Sequence, residues 1–199
     1  MGEIRDRRSV ILDHAAELFA RKGIAATTVR EIADAVGILS GSLYHHFDSK
    51  ESIIDEIISS YLDDLRARYK KVVAATGDPR SCVEGLILAS LENADAHPHA
   101  TEIYQNNVRQ LRTIPRFNYL QAAAAEVQAT WLDVLKAGAR AGTFRDDIEP
   151  KVFYRFVRDA VWLSVRWFRP TRSYPLSRLA RDCTAVFLDG YLNRADAAE

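Results

Sequence analysis

The 199-residue chain is 48% hydrophobic and 27% charged, enough apolar material for one or two packed domains, which excludes a disordered or fibrous chain. Its 27 basic residues are matched by 27 acidic ones, so no charge excess announces nucleic acid or a membrane surface as a partner. The first eight residues are charged rather than apolar and no run of eighteen apolar residues occurs; neither a signal peptide nor a membrane span is expected, and the expected location is the cytoplasm. Cys82 and Cys183 lie far apart without a Cys-x-x-Cys or a Cys/His cluster, which argues against a disulfide framework and a structural zinc site.

Apolar residues recur at helical spacing almost throughout, and glycine or proline punctuates at intervals typical of helix ends, so the expected fold is all-α. Ile11, Leu12, Ala15, Leu18 and Phe19 form the stripe of a first helix that Lys22 and Gly23 end. Thr28 and Glu31 make a capping box, after which Ile32, Ala33 and Val36 turn inward up to Gly37. Ser40 is the expected N-cap of a short third helix whose Leu43 and Phe47 share a face. A long fourth helix starts at Asp48 or Ser49, with Glu51 as the capping partner of Asp48, and carries Ile53, Ile54, Ile57, Ile58, Leu62 and Leu65 toward Tyr69. Pro79 suits the first position of a fifth helix that Pro98 closes. Four more helices are expected near 99 to 112, 115 to 141, 150 to 168 and 176 to 193.

The two short helices around Gly37 to Ser40 have the pattern of a helix-turn-helix over residues 28 to 46. Burial of Ile32, Ala33, Val36, Leu43 and Phe47 leaves Ser42, Tyr44, His45 and His46 outward, short donors and aromatic groups suited to base edges and phosphates. Ser40 opens that helix. Thr27, Thr28 and Arg30 are placed to bond phosphate oxygens, and Lys50 begins the next helix, where partial positive charge favours a phosphate. The candidate DNA contacts are therefore Thr27, Thr28, Arg30, Ser40, Ser42, Tyr44, His45 and Lys50. With seven basic against eight acidic residues in the first 52, such a head depends on placed contacts rather than bulk charge. His45 and His46 diverge by about 100° on a helix and cannot chelate one metal ion as an i, i+4 pair can.

Ala25 to Ala33, Gly41 to Phe47 and Ser49-Lys50-Glu51 together resemble the TetR family of repressors. The resemblance implies nine helices, a DNA-binding head over 1–48, and a body over 49–199 that binds a ligand and dimerises. Leu39 departs from it, since the family usually carries a small or polar residue there. A dimer would present two recognition helices to one face of double-stranded DNA, so a palindromic operator is expected.

In the eighth helix Phe153, Phe156, Val157, Ala160, Val161, Ser164 and Phe168 are expected inward, while Arg155, Arg158, Trp162, Arg166 and Arg169 follow spacings of three or four on another face. Arginine forks bind phosphates and an indole stacks on a purine, so this comb suits a nucleotide-like group such as the adenosine phosphates of coenzyme A. The alternative from the residues alone is a dimer face paired with acids such as Asp159, and a core tryptophan. Residues 37–47, Tyr154 to Asp159 and Ser164 to Trp167 closely resemble the KstR-type repressors of actinobacteria, in particular those governing the later rings of cholesterol. This resemblance implies release by a coenzyme A thioester of an indanedione propanoate, with no catalytic cofactor. Arg158, Trp162 and Arg166 are the candidate contacts. An apolar chamber for the bicycle is expected from Tyr104, Leu111, Phe117, Tyr119, Trp131 and Leu135. Leu176, Leu179, Ala180, Cys183, Val186, Phe187 and Gly190 make a broad stripe on the ninth helix, read as the homodimer face. An enzyme reading finds no Gly-x-Ser-x-Gly, no phosphate-cradling glycine loop and no metal-ligand spacing.

Overall fold

The computed structural model describes residues 7–190. Among these residues there is no strand, and nine α-helices follow in order: α1 Arg7–Lys22, α2 Val29–Val36, α3 Ser40–Leu43, α4 Lys50–Ala75, α5 Pro79–Ala96, α6 Pro98–Leu111, α7 Tyr119–Arg140, α8 Pro150–Trp162 and α9 Leu176–Asp189. Two 3-10 turns interrupt them, Pro115–Phe117 before α7 and Leu163–Arg166 directly after α8. The expected helices are all present, but the seventh starts later than residue 115 and the α-helical part of the eighth stops at Trp162 rather than 168. Of the expected ninth helix, residues 191–193 lie outside the described residues.

The chain packs as two compact units. One holds the described residues up to 63 together with 97–123; the other holds 64–96 and the described residues from 124 onward. The division at 48 and 49 read from the sequence is therefore not where packing divides. The reason is α6, which lies against α1 and so joins the head.

In the first unit Ile11, Ala15, Leu18 and Phe19 of α1 meet Ile32 and Ala33 of α2, Leu43 and Phe47 at the recognition helix, and Ile53, Ile54 and Ile58 of α4, all buried. Each such aliphatic or aromatic side chain contributes roughly 1.5–3 kcal/mol by leaving water. Arg8 adds a tie that sequence reading missed. Its guanidinium forks onto Glu56 at 2.9 and 2.5 Å, donates to the His46 carbonyl and lies 4.2 Å over the Phe47 ring. One arginine thus joins α1, α4 and the end of the reading segment, an arrangement that no short-range pattern reveals.

In the second unit α5 is central, packed on both α8 and α9. That explains why it buries residues all round, from Cys82, Val83, Leu86 and Ile87 to Ser90, Leu91 and Ala94. Gly138 on α7 admits the Phe144 ring, since a Cβ there would lie 2.2 Å from Phe144 Cδ2. The close approach seats the connection between α7 and α8.

Candidate nucleic-acid interface and ligand face

The reading segment is built by its caps. Thr28 is the N-cap of α2, with its Oγ1 accepting from the Glu31 N–H at 3.2 Å while the Thr28 N–H donates to Glu31 Oε2 at 2.8 Å. The box expected from sequence is thus present. Lys22 also pairs with Glu31, and this pairing together with the bonds from Thr28 holds the Glu31 carboxyl down to about 2. Gly37 closes α2 in the left-handed region at φ 71°, so that its N–H and that of Ile38 return to the Asp34 and Ala33 carbonyls. The next helix begins one residue earlier than expected. Leu39, not Ser40, is the N-cap, with extended backbone at φ −71° and ψ 145° and no side-chain cap. Its carbonyl accepts from the Ser42 and Leu43 N–H groups at 2.9 and 3.3 Å.

α3 is only four residues long, and burial of Leu43 and Phe47 anchors it. Ser40 and Ser42 are half-buried on it and Tyr44 and His45 exposed just past its end, while Thr28 and Arg30 are exposed at the start of α2. Arg30 faces Asp34 at 3.9 Å with 85% of its side chain in solvent. Such a pair costs little to break in favour of a phosphate.

Two candidates from the sequence are placed otherwise. Thr27 has no exposed surface, and its hydroxyl donates to the Gly23 carbonyl at 2.9 Å. It satisfies an acceptor just beyond the end of α1, where carbonyls lack helical partners. Lys50 donates through Nζ to the Ile24 and Thr27 carbonyls at 2.8 and 3.0 Å. Two of its three N–H groups are thereby committed to the turn before α2, so it positions that turn. Of the two starts expected for α4, Asp48 or Ser49, the helix takes Ser49: Ser49 and Ser52 exchange reciprocal N–H to hydroxyl bonds at 3.2 Å, in place of the box expected of Asp48 with Glu51.

In the second unit the inward stripe expected for the eighth helix holds at Val157, Val161 and Ser164 but is rotated toward Tyr154 and away from Phe156 and Ala160. Tyr154, Val157 and Val161 are buried, whereas Phe156 is 67% exposed and Ala160 is exposed. The rotation moves Arg158 and Trp162 to the edge of the core, where they are half-buried. There they line a narrow crevice with Tyr69, Ser90, Trp131 and Tyr154, which leaves no room for a water-sized body. Sequence reading thus named three of its lining residues, Trp131, Arg158 and Trp162. The Arg158 guanidinium bonds Asp159 at 2.7 Å and lies 5.7 Å from the Tyr154 ring centre.

The crevice has a polar floor that sequence reading missed. Ser90 donates its hydroxyl hydrogen to the Leu86 carbonyl at 2.7 Å, so the Tyr69 hydroxyl donates to Ser90 at 2.7 Å and accepts the Trp131 indole N–H at 3.0 Å. Burial pushes the Tyr69 phenol above its ordinary pKa, which keeps it a donor. α4, α5 and α7 are joined through this one chain of bonds.

The arginine comb does not persist. Because Leu163–Arg166 is a 3-10 turn, four residues carry Arg166 about 120° around the axis from Trp162 instead of about 40°. Arg166 is exposed, and Arg169 donates to the Val165 and Phe168 carbonyls at 2.5 and 2.7 Å. Of the residues expected to line the chamber, Trp131 and Leu135 belong to the second unit. Tyr104 belongs to the first unit, where its ring lies 5.9 Å from that of Tyr61, and Leu111 and Phe117 are core residues there. A cavity of about 690 Å³ does exist in the second unit, walled by Leu135, Phe144, Ile148, Phe153 and Phe187 with Lys136 and Arg140 at its side. It is set one helical turn from the crevice, as Leu135 follows Trp131 on α7 and Phe153 precedes Val157 on α8. Among the described residues no group of three or more His, Cys, Asp or Glu is placed to hold a metal, and no helix is long and apolar enough to cross a membrane.

Compared with known proteins, the chain matches the model for bacterial regulatory proteins of the tetR family over residues 11–57, and that for a tetracyclin repressor-like C-terminal domain over residues 76–191. The HTH-type transcriptional repressor KstR2 of Rhodococcus jostii is 48% identical over 184 residues, covering 92% of this chain and 90% of that protein. KstR2 of Mycobacterium tuberculosis is 42% identical over 189 residues, with 95% and 94% covered. The solved structure of the ketosteroid transcriptional regulator KstR2 of Mycobacterium tuberculosis matches with a TM-score of 0.89 at 41% identity, over 97% of this chain and 98% of that one. These relatives are named as regulators of transcription rather than as enzymes.

Proposed function

The chain belongs to the tetR family of bacterial regulatory proteins, and from that membership we propose that it represses genes of steroid catabolism. In this reading it binds a palindromic operator as a homodimer and leaves it on binding a coenzyme A thioester of an indanedione propanoate. The observation that carries the reading is the high identity, spanning nine-tenths of the chain, to repressors named KstR2. Arg158 and Trp162, together at the edge of the α8 crevice, give a guanidinium and an indole for the adenosine phosphates, with Arg166 exposed nearby in the chain. The apolar bicycle finds volume in the adjacent cavity of about 690 Å³, within the range usual for small-molecule sites.

The crevice is closed, so the thioester must favour a state in which α8 stands away from α4, α5 and α7. That preference is what couples ligand to operator, because a ligand shifts an equilibrium only by its differential affinity. Arg158→Ala or Trp162→Ala is expected to raise the thioester concentration needed for release in a gel-shift titration by about tenfold or more, matching the loss of one charge-assisted contact. Operator affinity without ligand stays within twofold. Unchanged inducer sensitivity in both variants would sink the assignment.

A second reading keeps the family and changes the ligand, since the larger cavity has mainly apolar walls. A thermal-shift comparison of several coenzyme A thioesters, the free acids and lipophilic cations separates the two. Stabilisation by the free acid or a cation alone favours the second.

A further inference from the structure

Leu39 is 80% exposed at the N-cap of α3, the position where Ser, Thr, Asp or Asn satisfies open amides and leucine does not. The other two helix starts of the reading segment follow that rule, with Thr28 and Ser49 bonding through hydroxyls. Leu39 therefore adds neither a cap nor core packing to the fold. Close to it in the chain Ser40 and Ser42 are half-buried, and Tyr44 and His45 are exposed just past the end of α3. In a helix-turn-helix the first residues of the recognition helix reach base edges in the major groove. The one apolar group that base edges offer there is the 5-methyl of thymine.

We infer that Leu39 is a specificity-determining residue that packs on a thymine methyl in each operator half-site. The side chain reads thymine by burial of that methyl, while the hydroxyls of Ser40 and Ser42 meet polar edges or phosphates. The inference rests on the DNA-binding reading above, and its test separates the two.

The operator is first recovered by selection from random duplexes with the full-length protein. Each thymine of one half-site is then replaced by uracil, which removes only the methyl and keeps every hydrogen-bonding group. At one position the wild type is expected to lose about fourfold in affinity, the factor that burial of one methyl-sized group corresponds to. Leu39→Ala and Leu39→Ser bind the thymine operator more weakly and are indifferent to uracil at that position. Leu39→Ser, which restores a cap, melts no lower than the wild type, so its weaker binding is not a folding defect. The inference is overturned if no uracil position weakens the wild type, or if Leu39→Ala and the wild type lose equal factors at every position. Failure to select any operator would instead overturn the DNA-binding reading, and this inference with it.

Discussion

Glu31 shows how much one exposed side chain organises in the head. It closes the capping box of α2 and pairs with Lys22 at the end of α1, so one carboxylate serves two helix ends. Its pKa falls from 4.5 to about 2, first through the Lys22 bond and then through Thr28. A folded pKa below the unfolded one means that this contribution is complete above pH 4.5 and fades as pH falls toward 2. The wild-type melting temperature is therefore expected to drop through that window by more than the melting temperature of Glu31→Gln does. Circular dichroism melts at stepped pH check this, and parallel curves for the two proteins would contradict it. At the same scale Thr27 and Lys50 show how the fold itself can engage groups that residue type alone would assign to phosphates. A hydroxyl and an ammonium suit phosphates, but the carbonyls at the end of α1 and in the following turn take both.

At the scale of elements, the tightest constraint is the meeting of Gly138 on α7 with Phe144. A Cβ at 138 would lie 2.2 Å from Phe144 Cδ2, so the half-buried ring, which also walls the cavity of the second unit, must shift. Gly138→Ala is expected to lower stability by about 1–3 kcal/mol in urea unfolding, despite the better helix propensity of alanine. An unchanged or raised midpoint would show that Phe144 swings away freely. The helices themselves were legible in the sequence because their signals are local: the α1 stripe, the Thr28 box, the Gly37 turn and the prolines opening α5, α6 and α8. What escaped depends on contacts distant in sequence. The Arg8 fork and the bonds of Tyr69 with Ser90 and Trp131 join separate helices. The rotation of α8 follows from its packing on α5, and with apolar residues on several of its faces the sequence pattern admits either stripe. The comb failed because spacing by three or four presumes a continuous α-helix, and the helix tightens at Leu163.

For the whole molecule, the faces left uncovered bear on assembly. The expected dimer stripe on α9 is largely used within its own unit, as Leu179 and Ala180 are buried and Leu176, Cys183 and Phe187 half-buried, leaving Val186 48% exposed. α8 contributes the more open surface, with Val152 at 42%, Phe156 at 67% and Leu163 at 40% exposure. Val152 and Phe156 are one turn apart, so a partner's apolar face can cover them together. If the proposed homodimer uses this face, Phe156→Glu is expected to turn a dimer into a monomer in light scattering at micromolar concentration, and to weaken binding to the proposed palindrome at least tenfold, since one head alone would read half of it. A variant that stays dimeric would move the interface elsewhere.

The three tryptophans lie on a gradient of exposure: Trp131 at 2%, Trp162 half-buried at the crevice and Trp167 at 66%. Indole emission shifts to the blue in apolar surroundings and is quenched by iodide only where solvent reaches. The unlabelled protein thus carries its own optical gauge. Emission from Trp167 is quenchable and changes when that surface is covered, while Trp131 and Trp162, which both line the crevice, register the opening proposed for it.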